Sequence, residues 1–204
     1  METEKLKFFN ENMEYIGVES REEIHRQGLW HHTFHCWIVV QQEGKTYLLF
    51  QKRAAVKKDS PNLLDITAAG HILDNEEIED GIREVEEEIG LSLSIEQMVS
   101  LGIIRWDLTK GKHIDREFCY VYLYMDQHFP KFTFQLEEVS GMYALELEHF
   151  RELIEEEREN VTGYEIVDGS IAKSQSLTYE DFVQNLKYHQ EAIERIKDQL
   201  TNDI

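Results

Sequence analysis

Residues 70–91 read GHILDNEEIEDGIREVEEEIGL, and this stretch decides the fold of the chain. Four apolar residues recur in it at steps of four, three and four: Ile78, Ile82, Val85 and Ile89. Residues at these steps form one stripe along an α-helix, so the stretch predicts a helix packed on a core. Three glutamates share another face of this helix: Glu84, Glu87 and Glu88. The helix therefore has one face for the core and one densely anionic face.

The anionic face has an electrostatic cost. Like charges three or four residues apart repel by about 0.2–0.5 kcal/mol per pair on an isolated helix. A hard divalent cation removes this cost, and Mg²⁺ or Mn²⁺ prefers carboxylate and phosphate oxygens as ligands. Arg83 can orient or neutralise part of the cluster, and Gly70 can offer its backbone carbonyl to the ion. The alternative interpretation is an ordinary solvated helix face.

Residues 83–91, REVEEEIGL, resemble the second half of the Nudix box, GX5EX7REUXEEXGU, at every specified position. The resemblance implies a Mg²⁺-dependent (or Mn²⁺-dependent) hydrolase of diphosphate linkages. Its metal ligands are then Glu84, Glu87 and Glu88, beside the Gly70 carbonyl. Glu84 also serves as the base that activates water, with Arg83 beside it in the catalytic set.

The first half of the box departs from this pattern. Gly70 and Glu76 have the expected separation, but six residues, rather than seven, lie between Glu76 and Arg83. The chain thus has a loop one residue shorter before the helix. This departure leaves the role of Glu76 open without affecting the helix glutamates.

Three further segments resemble the isopentenyl-diphosphate isomerase branch of the Nudix superfamily. They are residues 53–57 (RAAVK), 69–71 (AGH) and 115–117 (DRE), within a similarity that covers roughly residues 12–150. In that branch an arginine and a lysine at this spacing grip the diphosphate. Arg53 and Lys57 inherit that role here, and His71 joins them as a substrate-binding residue.

The same branch uses a second metal site of histidines and glutamates. The matching positions here are His25, His31, His71 and Glu117, with Asp115 where a glutamate is expected. The run of histidines at 31, 32 and 35 cannot all reach one metal, because alternate residues of a strand face opposite ways. For each histidine taken singly, an ordinary core or surface role is the alternative.

Isomerisation itself is disfavoured by the sequence. Isomerases of this branch place a cysteine directly before the Gly-His pair, and that position is Ala69 here. Neither Cys36 nor Cys119 takes its place, and we expect both to be reduced core thiols. The intact glutamate pattern favours hydrolysis instead. A Nudix-fold module that binds a metabolite without turnover is a rival from another class.

Composition limits the partners of the chain. It has 204 residues, 41% hydrophobic residues and a net charge of −20. Such a charge argues against binding to nucleic acid or to an anionic membrane surface, since both need basic patches. The sequence shows no transmembrane run and no signal peptide, so we expect a cytoplasmic protein with a small diphosphate substrate. By family resemblance, a homodimer is possible.

The pattern of elements predicts an α/β (α+β) fold of the Nudix type, an α/β/α sandwich with a mixed sheet and a C-terminal helix. Strands are expected at 13–18, 30–40, 45–53, 64–69, 98–108, 117–125, 132–134 and 141–145, with a loop at 110–112 and a short hairpin or turn at 163–169. Helices are expected at 20–28, 146–159 and 178–200, besides the Nudix helix. We divide the chain into an N-terminal extension (1–30), a Nudix domain (31–160) and a C-terminal helical extension (161–204). A distal glutamate is also expected in the site, with Glu117, Glu137 and Glu138 as candidates.

Overall fold

A computed structural model describes residues 4–110 and 113–202 of the chain. The strands are β1 (Lys5–Phe9), β2 (Tyr15–Ser20), β3 (Trp30–Gln42), β4 (Lys45–Arg53), β5 (Leu64–Asp65), β6 (Ala68–His71), β7 (Val99–Lys110), β8 (His113–Asp126), β9 (Val139–Glu146), β10 (Val161–Val167) and β11 (Ser170–Leu177). The α-helices are α1 (Arg21–Gln27), α2 (Arg83–Ile89), α3 (Leu147–Ile154) and α4 (Leu186–Asn202). Short 3₁₀-helices span Ile78–Ile82, Ile95–Gln97 and Tyr179–Asp181.

The strands form one mixed sheet centred on β3. Its main path runs β11-β10-β9-β4-β3-β1-β2, and β7 joins through β8. Between β3 and β8 the pairing is parallel, whereas the other named strand pairs are antiparallel. Along β3, residues 39–42 pair with β4 and residues 33–36 pair with β6. Both β4 and β6 thus flank the same edge of β3 at different heights.

Helices cover both faces of the sheet because β3 is apolar on both sides. Phe34, Ile38 and Val40 share a core cluster with Val85 and Ile89 of α2. The alternate side chains, including Trp37 and Val39, share a second cluster with residues of α3 and α4. Successive strand residues face opposite ways, so the buried strand requires a helical layer on each side. The structure confirms the α+β class with a mixed sheet and a C-terminal helix.

Several predicted elements appear with the expected bounds. The strand predicted at 45–53 is β4, and the helix predicted at 20–28 is α1 between an N-cap and a C-cap. Ser20 accepts a hydrogen bond from the Glu23 amide at 3.3 Å, and Gly28 has a left-handed φ of 65°. These caps satisfy the backbone groups that a helix end leaves without partners. The strand β1 was not predicted, and residues 111 and 112 of the predicted loop lie outside the described residues.

The strand predicted at 132–134 is wrong. This segment instead runs along the C-terminal end of α2, where the Thr133 amide donates to Ile89 O and the Gln135 amide donates to Glu88 O, both at 3.0 Å. The backbone donors are therefore used to satisfy helix carbonyls rather than a sheet ladder. The aromatic pattern that suggested a strand comes from Phe132 and Phe134, whose rings stack on each other.

The C-terminal part also differs from the expected pattern. The helix predicted at 178–200 is split into a 3₁₀-turn at Tyr179–Asp181 and α4, because the Val183 amide leaves the helix to donate to Leu64 O at 2.8 Å. Before it, residues 161–177 form a hairpin of two full strands, longer than the turn expected at 163–169. The helix predicted at 146–159 ends at Ile154.

In the described ranges 4–110 and 113–202, no helix is both long enough and apolar enough to cross a membrane.

Burial of α4 predicts a difference between two substitutions in that helix. Ile193 is 2% exposed in the core cluster, whereas Leu186 is 40% exposed. We expect Ile193→Ala to lower the free energy of unfolding by about 2–5 kcal/mol, since it leaves a cavity. Leu186→Ala should cost about 0.5 kcal/mol, as surface substitutions do. Urea unfolding of both variants measures this, and equal losses would contradict the packing of α4 on the sheet.

Candidate active site

One cavity of about 540 Å³ gathers most of the residues that the sequence singled out. Its walls come from α2, the edges of β4 and β6, and the start of β8. Among the sequence-predicted residues, its lining includes Arg53, Lys57, Gly70, His71, Arg83, Glu84, Glu87, Glu88, Asp115, Glu117 and Glu138. Acidic, cationic and imidazole groups therefore face one common space.

The guanidinium of Arg83 joins the acidic residues of this wall. Its Nη1 donates to Glu84 Oε1 at 2.6 Å and to Glu87 Oε2 at 3.1 Å. Its Nη2 donates to the carbonyl of His71 at 3.1 Å. The planar fork of five N–H donors allows one arginine to make all these contacts. Hydrogen bonds with Glu76 raise the pKa of Arg83, which stays charged.

Glu76 is a partner of Arg83 in spite of the shorter spacing. Its two carboxylate oxygens accept from Arg83 Nε at 2.6 Å and Nη2 at 3.2 Å. The 3₁₀-helix Ile78–Ile82 lies between the two residues. A 3₁₀-helix completes a turn with about three residues, fewer than an α-helix needs, and this segment is one residue shorter than in the Nudix box pattern. Burial raises the pKa of Glu76, but hydrogen bonds from Arg83 and the Leu73 amide outweigh it, so the pKa falls. The structure thus shows Glu76 as a hydrogen-bonded ion-pair partner of Arg83.

Glu84 and Glu88 are held in an environment that disfavours their charge. Burial raises the pKa of Glu84 to about 7, against the attraction of Arg83. Burial and the nearby Glu84 raise the pKa of Glu88 to about 8. The Glu88 Oε2 atom accepts from Gln51 Nε2 at 3.0 Å and from the Ala69 amide at 3.1 Å. A divalent cation beside these groups would restore their ionised forms.

Gly70 is required by the approach of Glu84 to β6. A Cβ atom at this position would lie 2.1 Å from Glu84 Cδ, which is far inside van der Waals contact. The glycine thus gives the carboxylate direct access to the main chain of β6. Glu87 is exposed, and its described contact is with Arg83. Glu84 and Glu87 thus share Arg83 as a partner, whereas Glu88 accepts from Gln51 and the Ala69 amide. The groups of close ligand atoms found in the described ranges lie elsewhere.

Those ligand atoms belong to histidines and carboxylates at the other end of the cavity. The rings of His25, His31 and His71 have centroids 5.1–5.3 Å apart. Asp115 Oδ1 lies 3.4 Å from His25 Nε2 and 3.8 Å from His31 Nε2. Glu117 Oε1 lies 3.9 Å from His31 Nε2. The five residues form a compact set, with three nitrogen donors and two carboxylates.

One hydrogen bond sets the tautomer of His31. His31 Nδ1 lies 3.0 Å from the carbonyl of Leu29, which can only accept, so this nitrogen carries the hydrogen. The Nε2 lone pair then faces the carboxylates. Both His31 Nε2 and His71 Nε2 are buried without a hydrogen-bond partner in residues 4–110 and 113–202. Buried lone pairs beside carboxylate oxygens fit a bound cation, because a cation satisfies both.

Burial disfavours the charged form of every group in this cluster, but the net pKa shift differs among them. It lowers the pKa of His31 and, more strongly, that of His71, so both rings are neutral near pH 7. For His25, burial lowers the pKa, but Asp115 raises it more and the net shift is upward. Burial and the Glu117 charge raise the pKa of Asp115. Neutral imidazoles are the form that binds a metal.

The alternation of side chains along β3 divides the three histidines between the two faces of the strand, as the sequence predicted. His31 and His35 face the cavity side of β3, and His35 Nε2 lies 3.4 Å from Glu117 Oε2. His32 faces the other way and stacks on Phe9 with ring centroids 3.8 Å apart. A single metal therefore cannot meet all three.

The two predicted phosphate-binding cations line the cavity and already have acidic partners. Arg53 Nη1 donates to Asp65 Oδ2 at 2.8 Å, and Lys57 forms an ion pair with Glu138. A bound anion would compete with these carboxylates for the cations. The sequence did not point to Gln51, which directly follows the apolar run YLLF of β4 and is buried in the structure.

Comparisons with known proteins show the family of the chain. A model of the NUDIX domain matches residues 29–167. The chain belongs to the Nudix family. An uncharacterised Nudix hydrolase of Clostridium acetobutylicum is 41% identical over 162 residues, 79% of each chain. Nudix hydrolase 3 of Arabidopsis thaliana is 32% identical over 173 residues, which make up 81% of this chain and 22% of that protein.

The fold is also similar to that of a solved structure. The crystal structure of a Deinococcus radiodurans protein has a TM-score of 0.57 at 21% identity, and the match covers 75% of this chain and 90% of that one. This likeness concerns the fold alone. Since its relatives are Nudix hydrolases, the chain is a hydrolase that acts on acid anhydrides of phosphorus.

Two of the three candidate distal glutamates lie in the cavity of this Nudix hydrolase. Glu117 is 8% exposed within the histidine cluster, and Glu138 contacts Lys57 at the opposite side. Glu137 is exposed and does not line the cavity. Cys36 and Cys119 are buried free thiols, as the sequence predicted, and neither lines the cavity.

The pKa of Glu88 predicts how stability depends on pH. Native Glu88 keeps its proton up to about pH 8, whereas an ordinary value of 4.5 means that the unfolded chain releases it earlier. The native state therefore binds more protons in this window, and the free energy of unfolding falls as pH rises from about 4.5 to about 8. Glu88→Gln should make the fall smaller, while the exposed control Glu86→Gln should keep it. Urea unfolding with a chelator present measures both, and an unchanged slope in Glu88→Gln would contradict the assignment.

Proposed function

We propose that this Nudix protein is a Mg²⁺-dependent (or Mn²⁺-dependent) hydrolase that cleaves a diphosphate linkage in a small molecule of the nucleoside-diphosphate or isoprenoid-diphosphate type. One observation carries the proposal. The cavity places the buried carboxylates of α2 and the cations Arg53 and Lys57 around the same space. A diphosphate needs such a pairing, because its charge must be neutralised by a metal on one side and by bases on the other.

Each residue of the cavity has its own role in the proposed hydrolysis. Arg53 and Lys57 bind phosphate oxygens, in exchange for their contacts with Asp65 and Glu138. Glu84 takes a proton from the attacking water as the general base. Arg83 holds the Glu84 carboxylate through a 2.6 Å hydrogen bond.

In the reaction, the water oxygen forms a bond to phosphorus and the bond from phosphorus to the bridging oxygen breaks. The leaving phosphate or phosphate ester keeps the electron pair, and the water proton goes to Glu84. Glu84, Glu87 and Glu88, with the Gly70 carbonyl, would hold a Mg²⁺, which when bound would supply charge neutralisation and lower the pKa of a water. Buried carboxylates with raised pKa values suit such an ion.

A second metal site is part of this proposal. The cluster of His25, His31, His71, Asp115 and Glu117 offers buried donors to a cation, and its imidazoles suit Mn²⁺, Zn²⁺ or Co²⁺ better than Mg²⁺. This arrangement supports the proposed likeness to the isopentenyl-diphosphate isomerase branch. The chemistry of that branch is not supported, because Ala69 stands at the position of its cysteine.

The apolar part of the cavity wall limits which leaving groups the substrate can carry. Apolar lining comes from Ile66, Trp106, Leu108 and Val183, which lie on the side of the sheet that α4 covers. Such a wall suits either a stacked base or a short hydrocarbon chain.

A substrate panel tests the proposed function. We would measure phosphate and pyrophosphate release with Mg²⁺ from nucleoside triphosphates, ADP-ribose, dinucleoside polyphosphates and isopentenyl diphosphate. Glu84→Gln and Glu88→Gln should lower kcat by roughly 10²–10⁴-fold, because they remove the base or a metal ligand. Glu86→Gln, on the exposed side of α2, is the matched control and should retain activity.

The same panel separates the rival functions. Proton exchange into isopentenyl diphosphate without phosphate release would identify an isomerase. Ligand-induced thermal stabilisation without turnover of any compound would identify a binding module. Either result would overturn hydrolysis as the function of this site.

Metal binding tests the second site independently. Co²⁺ added to the metal-free protein should give a visible absorption band typical of nitrogen and oxygen ligands. His31→Ala should abolish the band, since it removes a buried ligand. His32→Ala is the matched control, because this neighbouring histidine faces away and stacks on Phe9. Retention of the band in His31→Ala would exclude the cluster as a metal site.

A further inference from the structure

A buried row of polar side chains connects the C-terminal helix to Glu117. Trp37 Nε1 donates to the Tyr188 hydroxyl at 3.3 Å, and that hydroxyl lies 2.8 Å from His35 Nδ1. His35 Nε2 lies 3.4 Å from Glu117 Oε2 and 3.2 Å from Thr33 Oγ1. Trp37 and Tyr188 have no exposed surface, and His35 is 3% exposed.

The donors in this row determine where each hydrogen lies. An indole nitrogen can only donate, so the Tyr188 oxygen accepts from Trp37. The single hydroxyl hydrogen of Tyr188 then has His35 Nδ1 as its acceptor. The opposite order would leave a buried O–H group without an acceptor in residues 4–110 and 113–202, at a cost of about 1–3 kcal/mol. A neutral His35 that accepts at Nδ1 carries its own hydrogen at Nε2.

The Nε2–H group of His35 faces Oε2, one of the two oxygens of the Glu117 carboxylate. Oε2 also lies within 3.3 Å of Thr33 Oγ1 and 3.4 Å of Cys119 Sγ, so the hydrogen-bond donors collect on this oxygen. Oε1 is the oxygen that faces His31 Nε2 in the metal-binding cluster. The two oxygens of the Glu117 carboxylate therefore have different neighbours.

We propose that Tyr188 is a positioning residue of the active site, which through His35 orients the Glu117 carboxylate with Oε1 toward the histidine cluster. The proposal rests on the proposed function in so far as Glu117 acts there as a ligand. It assigns a role to the C-terminal segment, which also supplies Val183 to the cavity wall.

The position of Tyr188 is well determined by its surroundings. Tyr188 lies in the first turn of α4, and its amide donates at 3.2 Å to Oδ1 of Asn185, the residue directly before this helix. Its ring packs edge-on against Trp106, a residue of the cavity wall, with centroids 5.2 Å apart. Because the chain holds the ring in this way, removal of the hydroxyl alone leaves the packing in place and deletes its two hydrogen bonds, to Trp37 Nε1 and His35 Nδ1.

Tyr188→Phe tests the proposal, and the chain offers a closely matched control. Tyr179 also lies in the C-terminal segment, and its hydroxyl contacts His189 Nδ1 at 3.0 Å, away from Glu117. Tyr179→Phe therefore removes the same kind of bond without touching the row. Urea unfolding of both variants gives the loss of stability that accompanies each deletion.

The first readout is the tautomer of His35, from nitrogen NMR of the metal-free protein labelled at histidine. In the wild type we expect an Nε2–H imidazole, and in Tyr188→Phe an altered tautomer population. Tyr179→Phe should leave the His35 signals unchanged. This measurement does not depend on turnover, so it decides the hydrogen-bond order even if the proposed hydrolysis is wrong.

The second readout is the Co²⁺ affinity of the cluster, with kcat beside it once a substrate is known. Outer-shell partners of metal ligands typically change affinity or activity by roughly 10–100-fold, and we expect Tyr188→Phe to lose affinity on this scale. Tyr179→Phe should stay close to wild type. An unchanged His35 tautomer, an unchanged Co²⁺ affinity in Tyr188→Phe, or equal losses in the two variants would each overturn the proposal.

Discussion

The burial of β3 on both faces is the constraint on which the rest of the structure depends. A strand that is apolar on both sides needs a helical layer above and below it, and α2 lies on one side with α3 and α4 on the other. The same strand carries His31 and His35 into this dry environment. Its parallel register with β8 places Glu117 opposite His31, so the histidines meet carboxylates where they need partners.

Charge burial then gives the cavity its chemical character. The chain is strongly acidic overall, yet Arg53, Lys57 and Arg83 converge on one space. Burial raises the pKa of Glu88 at one end of this space and lowers the pKa of His71 at the other. Acids lose charge and bases stay neutral for the same physical reason, the cost of taking charge out of water. A cation at either end restores the electrostatic balance.

The two ends of the cavity are supported in different ways. At the acidic end the support is local, because Arg83 reaches Glu84 and Glu87 on its own helix and Glu76 just before it. At the histidine end the support comes from remote parts of the chain, since Tyr188 is 153 residues from His35 in sequence. The C-terminal helix α4 thus contacts the residues that surround Glu117 through Tyr188 and His35.

The sequence by itself determined the features that depend on short-range pattern. Steps of three and four residues predicted the apolar stripe and the glutamates of α2, although Ile78 and Ile82 of that stripe lie in the preceding 3₁₀-helix. Caps predicted α1, and the strand pleat separated His32 from His31. The tertiary structure alone decided which remote groups meet. It paired Glu76 with Arg83 despite the shorter spacing, and it placed residues 132–134 along the end of α2 instead of in a strand. Helix periods and caps act over a few residues, whereas these contacts depend on sheet register and layer packing, which no local pattern contains.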